Sequence, residues 1–428
     1  MQDRKGLSRR GALKSIAAAG IAAAAAPATG RAQAPAVRKR VTLAYWTWSD
    51  NPGHQKMLTD VVDGFNKSQD LITVDLDAGS RVMEVRQKVL VAHAAGAAPD
   101  VAGIVQTNVQ EFYDAGVMAP IEPFFSKWDE KDDYFPSVIP FMHSKPNQPI
   151  LYMPARILPY VLFYRADYFE AAKLSPPANY DDFIEDARRL TIPGQRAGVA
   201  IRGVDYYSVQ PIEPIWGSAG VQFVDPTGKV DFDSPAAVSV TEKWVGMFTK
   251  DHSTQPTAVN DGYPQIFSLM ERGVAAMWCY GVHAHPQLNA ALGDRIQVVP
   301  IPNVAGGPRK CMLANPEGDF MSTSCKAKEA AWTFMQYLGS AKAVPTTGPG
   351  RGYMPVRKSL SADPAVQNNR FFKVCAADSA NWWTPPFAAK YWATYQDRIA
   401  PYWQQALRQE ITPKQWNEQG AKLLRGEG

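Results

Sequence analysis

The sequence predicts an α/β protein made of two lobes. The chain has 428 residues, which is more than one ordinary domain holds, so two lobes are expected. Apolar residues make up 46% of the chain and charged residues 20%, as is typical of a globular protein with a large core. Segments with the apolar alternation of strands take turns with segments of helical periodicity, and this order favours parallel strands joined by helices.

Residues 1–36 are predicted to be an export signal rather than part of a lobe. Basic side chains precede an Ala-rich apolar run at 16–26, which is too short to span a bilayer. The stretch S-R-R-G-A-L-K at 8–14 is typical of a twin-arginine signal, and a general secretory signal is the alternative. Small residues allow cleavage after Ala34 or Ala36, of which we favour Ala36, so a periplasmic protein is expected.

The predicted leader accounts for the basic character of the chain. It carries six Lys or Arg side chains and one Asp, whereas the whole chain has a formal net charge of +4. The mature chain is therefore near neutral, at about −1, which gives no sign of nucleic acid or another polyanion as a partner. No later apolar run approaches membrane length, so we expect a soluble, exported protein, and a monomer.

The first predicted elements alternate strand with helix. In chain order they are a strand at 41–45, a helix through Met57, Val61, Val62 and Phe65, a strand at 71–76, a helix at 82–95 and a strand at 101–105. In parallel sheets, ligands bind beyond the carboxyl ends of the strands, near the point where strand order reverses. Residues that directly follow these strands are therefore the candidates for ligand contact.

Three longer helices are predicted downstream from their apolar stripes. They cover 180–190, 235–249 and 326–338, and the first follows a break at Pro176 and Pro177. The C-terminal part is dense in aromatic residues, which are Trp382, Trp383, Phe387, Tyr391, Trp392, Tyr395, Tyr402 and Trp403. Most of these rings are interpreted as core, whereas Trp382 and Trp383 are also candidates for ligand stacking.

The cysteines show no spacing that is typical of a metal site. The four are Cys279, Cys311, Cys325 and Cys375, without a C-x-x-C pair. In an oxidising compartment a Cys311–Cys325 disulfide is one alternative, and buried free thiols are the other.

Five stretches in one order resemble a known family. They are Y-W-T-W-S-D (45–50), A-G-A-A-P-D-V (95–101), L-F-Y-R-A-D-Y-F-E-A-A-K-L-S-P-P-A-N-Y-D-D-F (162–183), M-E-R-G-V-A-A-M-W (270–278) and K-E-A-A-W-T-F-M-Q-Y-L (328–338). Their order and spacing resemble the family 1 extracellular solute-binding proteins, the sugar-binding subunits of ABC importers, to which maltose-binding protein is related. Each stretch alone is weakly specific, and the series covers nearly the whole mature chain.

The resemblance implies a two-lobe periplasmic binding protein fold of type II, with a ligand cleft between lobes and a hinge that the chain crosses several times. By analogy the N-lobe is expected at 41–155 and 313–357, and the C-lobe at 156–312 and 358–428. Closure of the lobes traps the ligand, and the closed state is the one that a membrane permease recognises. A carbohydrate is the expected ligand, and no cofactor is expected.

Sugar rings present apolar faces that stack on aromatic side chains and hydroxyl groups that bind polar ones. At the end of the first strand Trp46 and Trp48 are predicted as a stacking surface, with Asp50 as a hydroxyl acceptor. The alternative places both rings in the lobe core.

Polar side chains also follow the strand at 101–105. Gln106, Thr107 and Asn108 stand where the family places hydroxyl-binding residues, and helix capping is their alternative role. Arg156 lies next to the expected first hinge crossing. It either binds an anionic group of the ligand or forms an ion pair across the hinge.

The resemblance places the remaining candidates in the C-lobe and the late crossing. They are Glu213, Trp216 and Gly217, then Trp278, Tyr280 and His283, then Arg351 and Tyr353, and finally Trp382 and Trp383. The family often has Gly-x-Trp near 281, whereas this chain has His283 there, which leaves three rings as candidates for one stacking role. A metal at His283 and His285 is not expected, because no carboxylate or cysteine cluster accompanies them.

Two alternatives to sugar binding stay open at this point. Arg156, Arg202 and Arg351 favour a second ligand class, an anionic sugar derivative or polyol such as a sugar acid, sulfosugar or glycerol phosphate. A secreted glycoside-active enzyme is the alternative of a different class. The sequence has no G-x-S-x-G, H-E-x-x-H or catalytic Cys-His pattern, so we expect a binding protein and not an enzyme.

Overall fold

The computed structural model describes residues 39–49, 52–136, 138–145, 148–387 and 389–427. The predicted export signal at 1–36 and the predicted ligand residue Asp50 lie outside the described residues. Within them, no helix combines the length and the hydropathy that crossing a membrane requires.

The described chain alternates strands with helices over most of its length. The strands are β1 (Val41–Trp48), β2 (Ile72–Ser80), β3 (Val101–Val105), β4 (Tyr152–Arg165), β5 (Ala197–Ala200), β6 (Ala275–Gly281), β7 (Ile296–Pro300), β8 (Cys311–Met321), β9 (Met354–Pro355) and β10 (Trp382–Trp383). The helices are α1 (Pro52–Ser68), α2 (Val82–Ala94), α3 (Val109–Asp114), α4 (Glu122–Phe125), α5 (Ala166–Ala171), α6 (Tyr180–Leu190), α7 (Glu213–Ser218), α8 (Pro235–Thr249), α9 (Tyr263–Glu271), α10 (His285–Leu292), α11 (Lys328–Leu338), α12 (Val344–Thr347), α13 (Lys358–Ser361), α14 (Pro364–Gln367), α15 (Arg370–Ala377), α16 (Trp392–Leu407) and α17 (Pro413–Arg425).

The strands form one hydrogen-bonded path with the order β2-β1-β3-β8-β4-β6-β5. In the first half of this path β1 pairs in parallel with both β2 and β3, as predicted. The centre departs from the prediction of parallel strands, because β8 is antiparallel to β3 and to β4. In the second half β4 is antiparallel to β6 and β7, while β5 and β6 are parallel.

Two long strands belong to both halves of the sheet. The first part of β4 pairs with β8 and β9, and its last residues, Tyr160 to Arg165, pair with β6 and β7. In β8, Glu317–Met321 pair with β3, whereas Cys311 and Met312 pair with β10. The strands β4 and β8 therefore cross together from one half of the fold to the other, and we call them the crossing strands.

Apolar stripes bury the helices against these strands as their periodicity predicts. In α1, Leu58, Val61, Val62 and Phe65 are buried. The ring of Phe65 lies 5.0 Å from that of Phe334 on α11. The observed bounds of β3, α6 and α8 are the predicted ones, and α11 begins two residues later than predicted.

The cysteines follow the second of the two alternatives considered. All four, Cys279, Cys311, Cys325 and Cys375, are buried free thiols in the structure. Burial raises the pKa of the Cys325 thiol to about 12, with the charge of Asp100 acting in the same direction, so this thiol stays protonated at neutral pH. Among the described residues no group of three metal-ligating side chains comes together.

Candidate functional site

A chamber of about 560 Å³ lies between the two halves of the fold. From the first half, the beginnings of α1 and α2 line it with Gly53, His54, Met57, Arg81, Val82, Met83 and Glu84. From the second half it is lined by Arg202, Asp205, Tyr207, Tyr263, Pro264, Tyr280, His283, Pro286 and Gln287, and from the late crossing segment by Gly350 and Arg351. Its volume falls within the range of about 300–1,000 Å³ that is usual for small-molecule sites.

One wall of the chamber is aromatic. Tyr280, at the end of β6, lies flat on Trp278, with ring centroids 4.4 Å apart and an interplanar angle of 8°. Tyr263 lies 5.4 Å from Tyr280, and its ring is nearly parallel to that of His283. His283 stacks in turn on Tyr353 at 5.2 Å. Trp278 is buried behind this wall, so it supports Tyr280 and does not itself line the chamber.

The turn after β5 contributes a charged pair to the chamber. Arg202 Nη2 donates to Asp205 Oδ2 at 2.7 Å, and the backbone N–H of Tyr207 donates to Asp205 Oδ1 at 2.9 Å. Burial raises the pKa of Asp205, and the positive charge of Arg202 acts in the opposite direction. The carboxylate thus holds the guanidinium of Arg202 and the backbone of Tyr207 in place.

Asp205 itself has an unusual backbone conformation, with φ 60° and ψ 175°. This region is nearly reserved for glycine, because a Cβ there crowds the neighbouring backbone. Such conformations cost about 1–3 kcal/mol and cluster at ligand clamps and active sites. This strained backbone therefore lies in a turn that lines the chamber.

A second charged cluster joins the crossing strands. Arg156 Nε donates to Glu317 Oε2 at 2.6 Å, and both side chains are buried. The guanidinium of Arg156 lies 5.3 Å from the ring of Trp48 and 5.5 Å from that of Tyr353. Arg156 thus has an ion-pair partner on the other crossing strand and does not line the chamber. The ligand contact considered for Arg156 stays a prediction.

A buried carboxyl group lies in the same cluster. Tyr45 donates to Asp319 Oδ1 at 2.7 Å. Burial raises the pKa of Asp319 to about 6, although the charge of Arg156 lowers it. The crossing strands thus carry two buried acids, Glu317 and Asp319, near the buried guanidinium of Arg156.

Three of the predicted ligand residues line the chamber: Tyr280, His283 and Arg351. Trp278 and Tyr353 contact these residues from behind. The remaining described candidates lie elsewhere, each for an identifiable physical reason.

Trp46 and Trp48 do not line the chamber, and their expected role as a stacking surface stays a prediction. The strand β1 includes both Trp46 and Trp48, and the register of β1 with β2 shifts between these two residues. Trp48 is buried against β3, where a Cβ on Gly103 would lie 2.8 Å from Trp48 Cζ3. Trp46 is half-buried, and Lys88 Nζ lies 4.1 Å from its ring centroid. Trp48 is thus a core residue, as the alternative proposed.

Gln106, Thr107 and Asn108 form a short 3-10 helix and are all buried. Asn108 precedes α3 without a capping hydrogen bond from its side chain, so the capping alternative does not describe it. Gln106 Oε1 and Asn108 Nδ2 are buried and lack a hydrogen-bond partner. These residues do not line the chamber either.

Trp216 and Glu213 are buried inside the second half of the fold and do not line the chamber, and their expected ligand contacts stay predictions. Trp216 packs 4.9 Å from Phe232, and its Nε1–H donates to the carbonyl of Ala237. Glu213 is fully buried and accepts a hydrogen bond of 2.7 Å from Tyr206. Burial raises the pKa of Glu213 to about 8, although the hydrogen bond from Tyr206 lowers it.

Gly217, Trp382 and Trp383 line separate cavities. Gly217 and Trp383 line one of about 390 Å³, where the Trp383 ring lies against Gly217. Trp382 lines another of about 660 Å³ that does not share a residue with the chamber. These three residues do not line the chamber, and their expected role at the cleft stays a prediction.

Asp205, Tyr207 and Tyr263 were not predicted from the sequence as ligand-binding residues. Arg202 was considered only as an indication of an anionic ligand. A signal was available, because D-Y-Y at 205–207 follows the apolar strand β5. Polar and aromatic residues beyond the carboxyl end of a strand are the residues that reach a cleft.

Comparison with known proteins gives one family match over most of the chain. The family described as bacterial extracellular solute-binding protein matches residues 48–345. The chain is 23% identical over 218 residues to a probable ABC transporter-binding protein of Deinococcus radiodurans, which is 48% of this chain and 51% of that protein. The chain thus spans about half the length of this curated relative.

Several solved structures have a similar fold. A solute-binding protein from Thermotoga lettingae bound with alpha-D-tagatose has a TM-score of 0.79 at 20% identity, covering 90% of this chain and 99% of its own. The maltose-bound MalE3 of T. maritima has a TM-score of 0.79 at 21% identity with the same coverage. A ribitol complex from Agrobacterium radiobacter K84 has a TM-score of 0.78 at 19% identity, covering 91% and 99%. These similarities establish the two-lobe fold.

Proposed function

The chain belongs to the bacterial extracellular solute-binding protein family, and from this membership we propose that it captures a carbohydrate in the chamber and delivers it to an ABC-transporter permease. One observation carries the proposal: the chamber combines a wall of aromatic rings with the buried guanidinium of Arg202, which is held by the more exposed carboxylate of Asp205. The rings of Tyr207, Tyr263 and Tyr280 offer faces for the apolar side of a sugar. Arg202 and Asp205 offer donors and acceptors for its hydroxyl groups.

We favour a neutral sugar or polyol over an anionic derivative. Two of the three arginines that pointed to an anion already have carboxylate partners, because Arg156 pairs with Glu317 and Arg202 with Asp205. In the chamber, an anionic ligand would have to compete with Asp205 for the guanidinium of Arg202. Tagatose, maltose and ribitol, which structurally similar proteins bind, are uncharged, and they are the first compounds to test.

The proposed lobes keep the bounds expected from the sequence, 41–155 with 313–357 and 156–312 with 358–428. The lobes would move about the crossing strands and close on the ligand, and the closed form would dock on the permease. Gln106 and Asn108 do not line the chamber, and they remain proposed as hydroxyl-binding residues only for a ligand that extends beyond it, since each has a buried polar atom without a partner. Export by a twin-arginine leader, a periplasmic location and a monomeric state complete the proposal.

A thermal-shift screen of the mature protein tests the function. The compounds are monosaccharides, maltose and longer oligosaccharides, polyols and sugar acids. A ligand that binds only the folded protein raises the melting temperature, and at about 100 times its Kd it adds about 2.7 kcal/mol of stability. A neutral sugar or polyol should shift the melting temperature, and a complete absence of shifts would remove the carbohydrate assignment. A shift with sugar acids alone would assign the anionic class instead.

The enzymatic alternative has its own measurement. Purified protein is incubated with the sugars that shift the melting temperature and with their glycosides, and products are followed by chromatography. The proposal expects the ligand to be recovered unchanged. Turnover of a glycoside would identify an enzyme.

A further inference from the structure

Arg86 on α2 is held by a carboxylate on each side. Its Nε and Nη2 donate to Glu111 of α3, both at 2.7 Å. Its Nη1 and Nη2 donate to Asp397 of α16 at 3.2 and 3.1 Å. The side chain of Arg86 is 9% exposed, whereas that of Glu111 is 24% exposed and that of Asp397 42% exposed. Each carboxylate receives two hydrogen bonds, which is the strong, directional arrangement for Arg.

The two carboxylates belong to opposite halves of the fold. Glu111 lies on α3, which follows β3, and α2 itself packs against β1 in the first half. Asp397 lies on α16, which packs against α8 and α17 and whose Trp403 donates to the carbonyl of Arg202 in the second half. The contact between Arg86 and Asp397 therefore joins the two halves.

This contact adjoins the chamber. Val82 and Met83, one helical turn before Arg86, line the chamber from the first half. On the other side, α16 packs against the turn that contains Tyr207, which lines the chamber from the second half. Separating the two walls of the chamber would separate Arg86 from Asp397.

We propose that Arg86 and Asp397 form an interlobe latch that favours the closed cleft, and that Glu111 is the positioning residue for Arg86. The latch rests on the proposed function only in requiring that the two lobes open and close. Opening breaks the contacts to Asp397 and leaves those to Glu111, so Arg86 keeps a charge partner in both states. Asp397 is already 42% exposed and returns to water readily. These features make the latch reversible and sensitive to salt.

The test measures the open and closed populations of protein without added sugar. Dyes are attached to Lys67→Cys on α1 and Glu242→Cys on α8, both exposed positions, while the native cysteines are buried. Single-molecule energy transfer then compares the parent protein with Asp397→Asn. We expect the variant to lower the ratio of closed to open molecules by about threefold to tenfold, the range for a partly exposed, charge-assisted contact.

The salt response and a matched control distinguish the latch from a general charge effect. Raising the salt from about 0.05 M to about 0.5 M should lower the closed fraction of the parent and leave Asp397→Asn nearly unchanged. Glu418→Gln on α17 removes a carboxylate of similar exposure, 43%, that pairs with Lys414, and should not move the populations. Arg86→Lys keeps the positive charge but cannot form two hydrogen bonds to each carboxylate. It should therefore lower the closed fraction, as Asp397→Asn does.

Equal populations and equal salt responses in the parent and in Asp397→Asn would overturn the latch. An equal shift in Glu418→Gln would overturn it too. The populations are measured without sugar, so a protein that binds none of the compounds in the thermal-shift screen still gives a result. The thermal-shift screen therefore tests the proposed function, and the energy-transfer measurement tests the latch independently.

Discussion

Glu213 allows a prediction about stability that is worked directly from its surroundings. Its carboxyl is fully buried, and burial raises its pKa from 4.5 to about 8. Between these two values the group is neutral in the folded protein and ionised in the unfolded chain. Unfolding therefore releases a proton, and the free energy of unfolding falls as pH rises, by about 1.4 kcal/mol per pH unit. From pH 5.5 to 7.5 this one residue should remove about 3 kcal/mol.

The substitution Glu213→Gln tests this reasoning because it keeps the shape and the acceptor for Tyr206 but cannot ionise. Urea unfolding is measured for both proteins at half-unit steps between pH 5.5 and 8.5. The other titrating groups, including Asp319, are common to both proteins and cancel in the difference. The two free energies should converge or cross as pH rises, with the variant losing less stability. Parallel curves over this range would refute the assignment of a buried, neutral Glu213.

Three further substitutions test the ion pair of the crossing strands, the chamber and the strained turn separately. Arg156→Ala should lower the free energy of unfolding by about 3–5 kcal/mol, because the substitution leaves Glu317 buried without Arg156 as its partner. Urea titration measures this loss, and a loss below about 1 kcal/mol would contradict a buried ion pair. Tyr280→Ala should weaken binding of the sugar found by thermal shift about tenfold, in keeping with about 0.5–1.5 kcal/mol for a stacked ring. Trp382→Ala, in a separate cavity, should leave the affinity unchanged. Calorimetry measures both affinities, and equal losses would remove Tyr280 from the proposed site. Asp205→Gly should be more stable than Asp205→Ala by about 1 kcal/mol, since only glycine adopts φ 60° and ψ 175° freely, and equal melting temperatures would contradict the strain.

The long periodic segments of the fold were predictable from the sequence. Strand β3 and helices α6 and α8 have the predicted bounds, because an apolar stripe of helical or strand period has one way to bury itself. The antiparallel position of β8 between β3 and β4 was not predictable. The local sequence pattern of a strand does not indicate which distant strand pairs with it, and here β8 lies between β3 and β4.

The sequence predicted residues that line the chamber where a residue follows a strand, and it did not do so where a large ring lies within a strand. Tyr280 and His283 come at the end of β6, and both line the chamber. Trp48 and Trp216 are similar aromatic residues, yet both are buried in the core. Core packing and ligand stacking use the same apolar rings, so residue type alone does not separate the two roles.

The strained turn at Asp205 shows a second limit. The φ of 60° at Asp205 cannot be predicted from the residue type, because aspartate is also common in ordinary turns. The position of D-Y-Y after β5 was the signal that could have been used.

The position of β8 also bears on how the chain acquires its structure. Val101 of β3 pairs with Met321, and Tyr152 of β4 pairs with Phe320, so the first half of the sheet is complete only after most of the chain has been synthesised. Pairing between such distant segments slows folding and leaves β3 and β4 with exposed edges in the meantime. A twin-arginine leader, as proposed, would emerge from the ribosome long before these edges are covered. Export in a folded state then requires a delay between synthesis of the leader and its engagement, and refolding of the mature chain should be slow.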